Sequence, residues 1–130
     1  MSHFSTLKTE LRDRQALIEA LSHLGHSPQE GQRELRGYRG QLVLADLVIP
    51  EQNGADIGFR WNEANGSYEL VADLDLWRLP VPVERFLAQL NQRYALCSIL
   101  AATAEEGFEV QEQTNHLDGS IEVVVTRWQD

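Results

Sequence analysis

The sequence predicts an α+β domain in which two helices pack on one face of an antiparallel sheet. Three observations predict it. Val83, Phe86, Leu87, Leu90, Tyr94, Cys97, Ala101 and Ala104 recur at three- and four-residue spacing, which marks one long amphipathic helix. Upstream of it, β-forming runs are separated by the turn signals Asn53-Gly54 and Asn65-Gly66, which join antiparallel neighbours. The chain has 130 residues, 42% of them hydrophobic and 24% charged, so a disordered or fibrous chain is excluded and residues 1–130 can share one core.

Residues 2–8, with Phe4 and Leu7 among small polar neighbours, read as a first strand. Asp13 supplies an N-cap for a helix ending near His23, with an apolar stripe of Leu17, Ile18, Leu21 and Leu24 and a left-handed stop at Gly25. The composition of 26–40 turns polar and reads as a long loop. Residues 42–49 are a β-rich run ended by Pro50. Residues 56–61 and 68–76 follow as two more strands, completing a meander. Leu79-Pro80-Val81-Pro82 breaks the pattern before the long helix, which Gly107 ends. A strand begins at 108–111, and Asp118-Gly119 turns into the strongly β-forming 121–128. The order is βαββ-βαββ, and the halves close similarly, on Ile57-Gly58-Phe59-Arg60-Trp61 and Val124-Val125-Thr126-Arg127-Trp128. A duplicated unit would explain both features.

Charge narrows the function. Residues 1–39 carry six Lys/Arg against five Asp/Glu, residues 40–130 carry five against fifteen, and the net charge is −9. Phosphates would meet a like-signed field, which argues against nucleic-acid binding. A single cysteine closes no internal disulfide, as in a reducing compartment. The first residues lack a basic stretch followed by an apolar run, so no leader is expected. Asp46 interrupts the run 42–49, which is too short to insert into a membrane.

The residue types that carry chemistry are scattered. His23 and His26 straddle the helix stop, with His3 and His116 far off in sequence, so no metal site is expected. Cys97 lies on the apolar helix stripe and reads as a small core hydrophobe, not a nucleophile. Asp73 and Asp75, two apart in a strand, would project from one face; the plain reading is a solvated sheet face, with Leu74 and Leu76 pointing inward. No glycine-rich phosphate loop is present. No catalytic or cofactor-binding residue is therefore assigned. Trp61, Trp77 and Trp128 sit near strand ends; core packing or rim coverage is the plain reading, and one exposed indole would instead suggest a contact hot spot.

The segment from Arg33 to Gly40 interrupts the acidic field. Arg33, Arg36 and Arg39 stand at three-residue spacing, with Tyr38 between two of them. Arginine forks pair with carboxylate or phosphate, and tyrosine adds rigid contact area. Arg33, Arg36, Tyr38, Arg39 and Trp77 are thus the candidate interaction residues, set against the plain reading of a solvated loop.

Ser2-His3-Phe4-Ser5-Thr6, Arg36-Gly37-Tyr38, Ala45-Asp46, Asn53-Gly54-x-Asp56-Ile57-Gly58-Phe59 and Tyr68-Glu69-Leu70-Val71-Ala72-Asp73-Leu74 resemble the hypothetical chloroplast frame thirty-five family. Gln92-x-Tyr94-Ala95, Gly107-Phe108-x-Val110, Asp118-Gly119-Ser120-Ile121 and Arg127-Trp128 continue the resemblance to the end of the chain. It implies an origin in cyanobacteria or plastids, in the cytoplasm or stroma, near ferredoxin-like and other small partner proteins. The family's function is unknown, so no catalytic residues come with it. The chain is short of lysine for the family, and 32–35 matches none of its motifs.

The expected function is a non-catalytic accessory or adaptor protein acting through contacts with another protein. The alternative is a small-molecule or cofactor-binding protein, or an enzyme, using the sheet face near Asp73 and Asp75.

Overall fold

The computed structural model describes residues 4–36, 42–51, 56–116 and 120–127. Their order is β1 (Phe4–Lys8), α1 (Arg14–His23), β2 (Gln29–Arg36), β3 (Leu42–Ile49), β4 (Ile57–Asn62), β5 (Ser67–Asp73), a 3₁₀ turn (Leu74–Leu76), α2 (Val83–Glu105), β6 (Phe108–Asn115) and β7 (Ile121–Arg127). The first five strands form one antiparallel sheet in the order β1-β5-β4-β3-β2, and β6 and β7 form a separate two-stranded ribbon. The class is the α+β one that periodicity and turn spacing predict.

Local chemistry sets α1. The Asp13 carboxylate accepts the Ala16 N–H at 2.9 Å. At the other end Gly25 adopts φ +90°, while its N–H and that of His26 donate to the Ser22 and Leu21 carbonyls, each at 3.0 Å. This crossed pair is the Schellman closure that a left-handed glycine permits.

The main core lies on one face of the sheet. Leu17, Ala20 and Leu21 of α1 meet Val83, Phe86, Leu90 and Cys97 of α2 there. Beneath them lie Leu47 and Ile49, Ile57 and Phe59, and Tyr68, Leu70 and Ala72, alternate residues of three neighbouring strands. Both helices therefore cover the same face. A smaller cluster of Leu35, Ala45, Val48 and Val71, flanked by Phe4 and Val43, covers part of the other face.

Three sequence expectations change. Residues 29–36 are an edge strand, not a loop: Gln29 and Glu30 pair with Val48 and Leu47, the register slips past Gly31 at φ +90°, and Arg33 to Arg36 pair with Ala45 to Leu42. An edge strand has one ladder only, so it tolerates polar residues on both sides, and Leu35 supplies a buried anchor. Pairing with β3 overrides the weak local propensity.

Second, β5 ends at Asp73 instead of continuing to 76. The Asp73 carboxylate accepts the Asp75 N–H at 3.1 Å and turns the chain into the 3₁₀ segment. Third, the two halves are not equivalent. β2 adds a strand to the first half, β5 lies between β1 and β4, and β6 and β7 leave that sheet altogether. Residues 57–61 and 124–127 therefore belong to strands of different sheets, and the duplication reading falls. Ser2, His3, Gly37 to Gly40, Asn53-Gly54, Asp118-Gly119 and Trp128 lie outside the described residues.

Candidate functional site

A change of phase in β3 creates the most distinctive surface. Val43 and Ala45 pack with Val48 on the smaller cluster, whereas Leu47 and Ile49 join the main core. Strict alternation would put 43, 45, 47 and 49 together, so the strand slips by one residue around Asp46. The β3–β4 ladder holds through Ile49↔Ile57, Val48↔Gly58 and Leu47↔Phe59 and stops there. On their outer sides the partners continue, β4 with β5 to Asn62↔Ser67 and β3 with β2 to Arg36↔Leu42. The sheet opens into a fork.

An open concavity of about 540 Å³ occupies the fork, lined by Gln32, Leu44, Asp46, Arg60, Trp61 and Glu63. Asp46 Oδ2 accepts the Trp61 N–H at 2.7 Å, replacing the missing ladder bond. Trp61 stands edge-on to Tyr68, centroids 5.0 Å apart, yet stays 39% exposed; Leu44 is 52% exposed. Burial pushes the Tyr68 phenol above its ordinary value, Arg14 opposes this, and Asp46 adds to it. Behind the fork Arg60 reaches Glu69 Oε2 at 3.3 Å, and the Asn62 amide donates to Glu69 Oε1 at 2.5 Å. Asn62 first, with Arg60 in support, holds the Glu69 carboxyl below its ordinary value despite burial. An aromatic and an aliphatic side chain thus stand beside carboxylates, with no nucleophile–base pair among the residues lining the concavity.

Among the predicted interaction residues that the structure describes, Arg33 and Trp77 lie apart. Arg33 is exposed on β2, opposite Ala45, and its Nε donates to the Glu30 carbonyl at 3.0 Å. Arg36 ends β2 opposite Leu42, and Tyr38 and Arg39 lie outside the described residues. Trp77 belongs to the other end of the sheet, following the turn at the end of β5. It is half-buried rather than free: its indole N–H donates to the Val81 carbonyl at 2.7 Å, and its ring stands edge-on to Phe86 at 5.5 Å. Leu44 and Trp61, which line the fork, were not among those candidates. Trp61 was legible as an aromatic at a strand end; Leu44 hides in an apolar run, and the interrupting Asp46 is its one signal.

Asp73 is 3% exposed, so the solvent-facing pair with Asp75 does not form; Asp75 is exposed on the 3₁₀ turn, and Asp73 Oδ2 is buried without a hydrogen-bond partner. Cys97 is buried, and burial, with Glu19 adding and Arg93 opposing, pushes its thiol up. His26 stands edge-on to Phe86, and His116 Nε2 lies 3.5 Å from Glu122. Among the described residues no group of three or more His, Cys, Asp or Glu is placed to hold a metal ion, and no helix is long and apolar enough to cross a membrane.

Comparison with known proteins agrees with the resemblance drawn from the motifs. Proteins named "uncharacterized protein ycf35" from Guillardia theta and Cyanophora paradoxa are each 41% identical to this chain over 128 residues, 98% of both partners. One of the same name from Pyropia yezoensis is 39% identical over the same span. No solved structure gives a significant match. Residues 20–124 match the family described as "protein of unknown function (DUF1257)", and the chain belongs to that family.

Proposed function

We propose that the chain is a non-catalytic accessory or adaptor protein, one domain that works by protein–protein contact in the plastid stroma or the cyanobacterial cytoplasm. The observation that carries this reading is the fork: Leu44 and Trp61 are both exposed, and both line one open concavity. Large apolar side chains gathered in a concave, polar-rimmed patch are what an interface core is made from, and tryptophan is the commonest anchor there. The adjoining edge strand adds Arg33 and Arg36, with Tyr38 and Arg39 beyond them in sequence, as further candidate contacts; Trp77 would join only through the exposed part of its ring. The relatives support a plastid setting, and the family resemblance extends it to cyanobacteria. The family resemblance supports a small, ferredoxin-like partner.

Affinity capture from a cyanobacterial lysate tests the reading. The wild-type chain is compared with Leu44→Ser/Trp61→Ala and with Arg33→Ala/Arg36→Ala, after melting curves show each variant folded. The expected result is a reproducible partner, rebound by the purified chain, that the Leu44/Trp61 variant loses. Identical captures by all three proteins would overturn the fork as the contact.

A further inference from the structure

We propose that the fork receives a basic segment of the partner protein, a lysine or arginine whose methylene stem lies across Leu44 and Trp61 and whose charged head reaches Asp46 and Glu63. This rests on the protein-contact reading above and names the chemistry of the partner. The floor is apolar and open, and the edge-on contact with Tyr68 fixes the Trp61 indole in place. Long basic side chains suit such a floor, because their stems bury apolar area while the head stays polar. A cation over an indole face gains a further electrostatic attraction.

The rim supplies the charge. Asp46 commits one oxygen to the Trp61 N–H and keeps acceptor capacity on the other. Glu63 lines the same concavity, and Glu34 stands opposite Leu44 on β2. The one cation lining the fork among the described residues, Arg60, is already paired with Glu69. Arg33, on the adjoining strand opposite Ala45, has its Nε on the Glu30 carbonyl, so the carboxylates of Asp46, Glu63 and Glu34 leave the rim acidic on balance, as is the whole chain at −9. That charge disfavours a second copy of this chain, whose acidic surface would meet like charge, and it disfavours an acidic or phosphate-bearing segment here.

Isothermal titration calorimetry with two probes tests the inference: an acetylated, amidated peptide of alternating lysine and leucine, and its glutamate–leucine counterpart, at about 0.15 M salt so that diffuse attraction is screened. The lysine–leucine peptide should bind and the glutamate–leucine peptide should not. Leu44→Ser and Trp61→Ala should each weaken binding about tenfold or more without changing net charge. Glu63→Gln should weaken it several-fold and flatten its salt dependence. Leu44→Ser keeps the test valid if losing the Trp61–Tyr68 contact perturbs folding. Equal binding of both peptides, or lysine–leucine binding indifferent to Leu44→Ser and Trp61→Ala, overturns the inference. A concentration-dependent dimer broken by Leu44→Ser overturns it too, since the occupant would then be a second copy. If the peptides fail while Leu44→Ser/Trp61→Ala still abolishes capture from lysate, the adaptor reading stands and the basic segment alone is rejected.

Discussion

At Gly58 the space is already filled. A Cβ there would stand 2.9 Å from Leu35 Cδ1 and 3.0 Å from Ala45 Cβ. Leu35 and Ala45 are buried, one on the edge strand and the other at the phase slip, so neither can move without disturbing β2 or the fork. Gly58→Ala should destabilise the protein by about 1–3 kcal/mol, the usual cost of overpacking, read as a lower melting temperature. An unchanged melting temperature would show that the β2–β3 edge yields freely. Glu69 gives a second residue-level test, with its sign set by hydrogen bonding. Its carboxyl sits below the ordinary value of 4.5 because the Asn62 amide and Arg60 favour the charged form. The stabilisation from that depression is complete above 4.5 and is lost as pH falls through the lower folded value. Glu69→Gln should therefore cost on the order of 1 kcal/mol at neutral pH, after allowance for the half-exposed Arg60, and progressively less as pH falls below 4.5. Denaturant melts across that range would show it, and a cost independent of pH would refute it.

The elements differ in how far they rest on their own chemistry. α1 announces both ends, Asp13 and Gly25, and both work locally, so its boundaries were legible. The long helix was legible by periodicity over Val83 to Cys97. Beyond Cys97 its stripe no longer meets the core: Ala101 and Ala104 are exposed. β2 was not legible, because nothing in Gln-Glu-Gly-Gln-Arg-Glu-Leu-Arg prefers a strand; the β3 edge recruits it. The fork was illegible for a related reason. A one-residue slip leaves no mark in composition, yet it decides which side of β3 Leu44 occupies. The β6–β7 ribbon is the least supported element, since two strands make a marginal unit and its principal packing outside the ribbon is against α2. Backbone amides of 108–115 and 121–127 should exchange with deuterium well before those of β4 and β5, which lie inside the five-stranded sheet. Equal protection across both sheets in exchange measured by mass spectrometry would show that the ribbon is held by more than α2.

For the whole molecule, charge is the feature least tied to the fold. A net −9 on 130 residues sets carboxylates against one another over most of the surface. The described ion pairs do little to offset this, because Arg12–Glu10 and Arg14–Glu30 are exposed and Arg60–Glu69 is half-exposed on its arginine side. Screening should relieve the repulsion more than it weakens those pairs. Stability should therefore rise between about 0.01 M and 0.15 M salt, as the Debye length falls from roughly 30 Å to 8 Å. Affinity for a basic segment should fall over the same interval, since that attraction is screened too. The two trends run in opposite directions from one cause. Melting temperature and peptide affinity measured on the same salt series separate this from a general salt effect on folding: a melting temperature that drops as salt is added would mean that local pairs, not net repulsion, govern the surface.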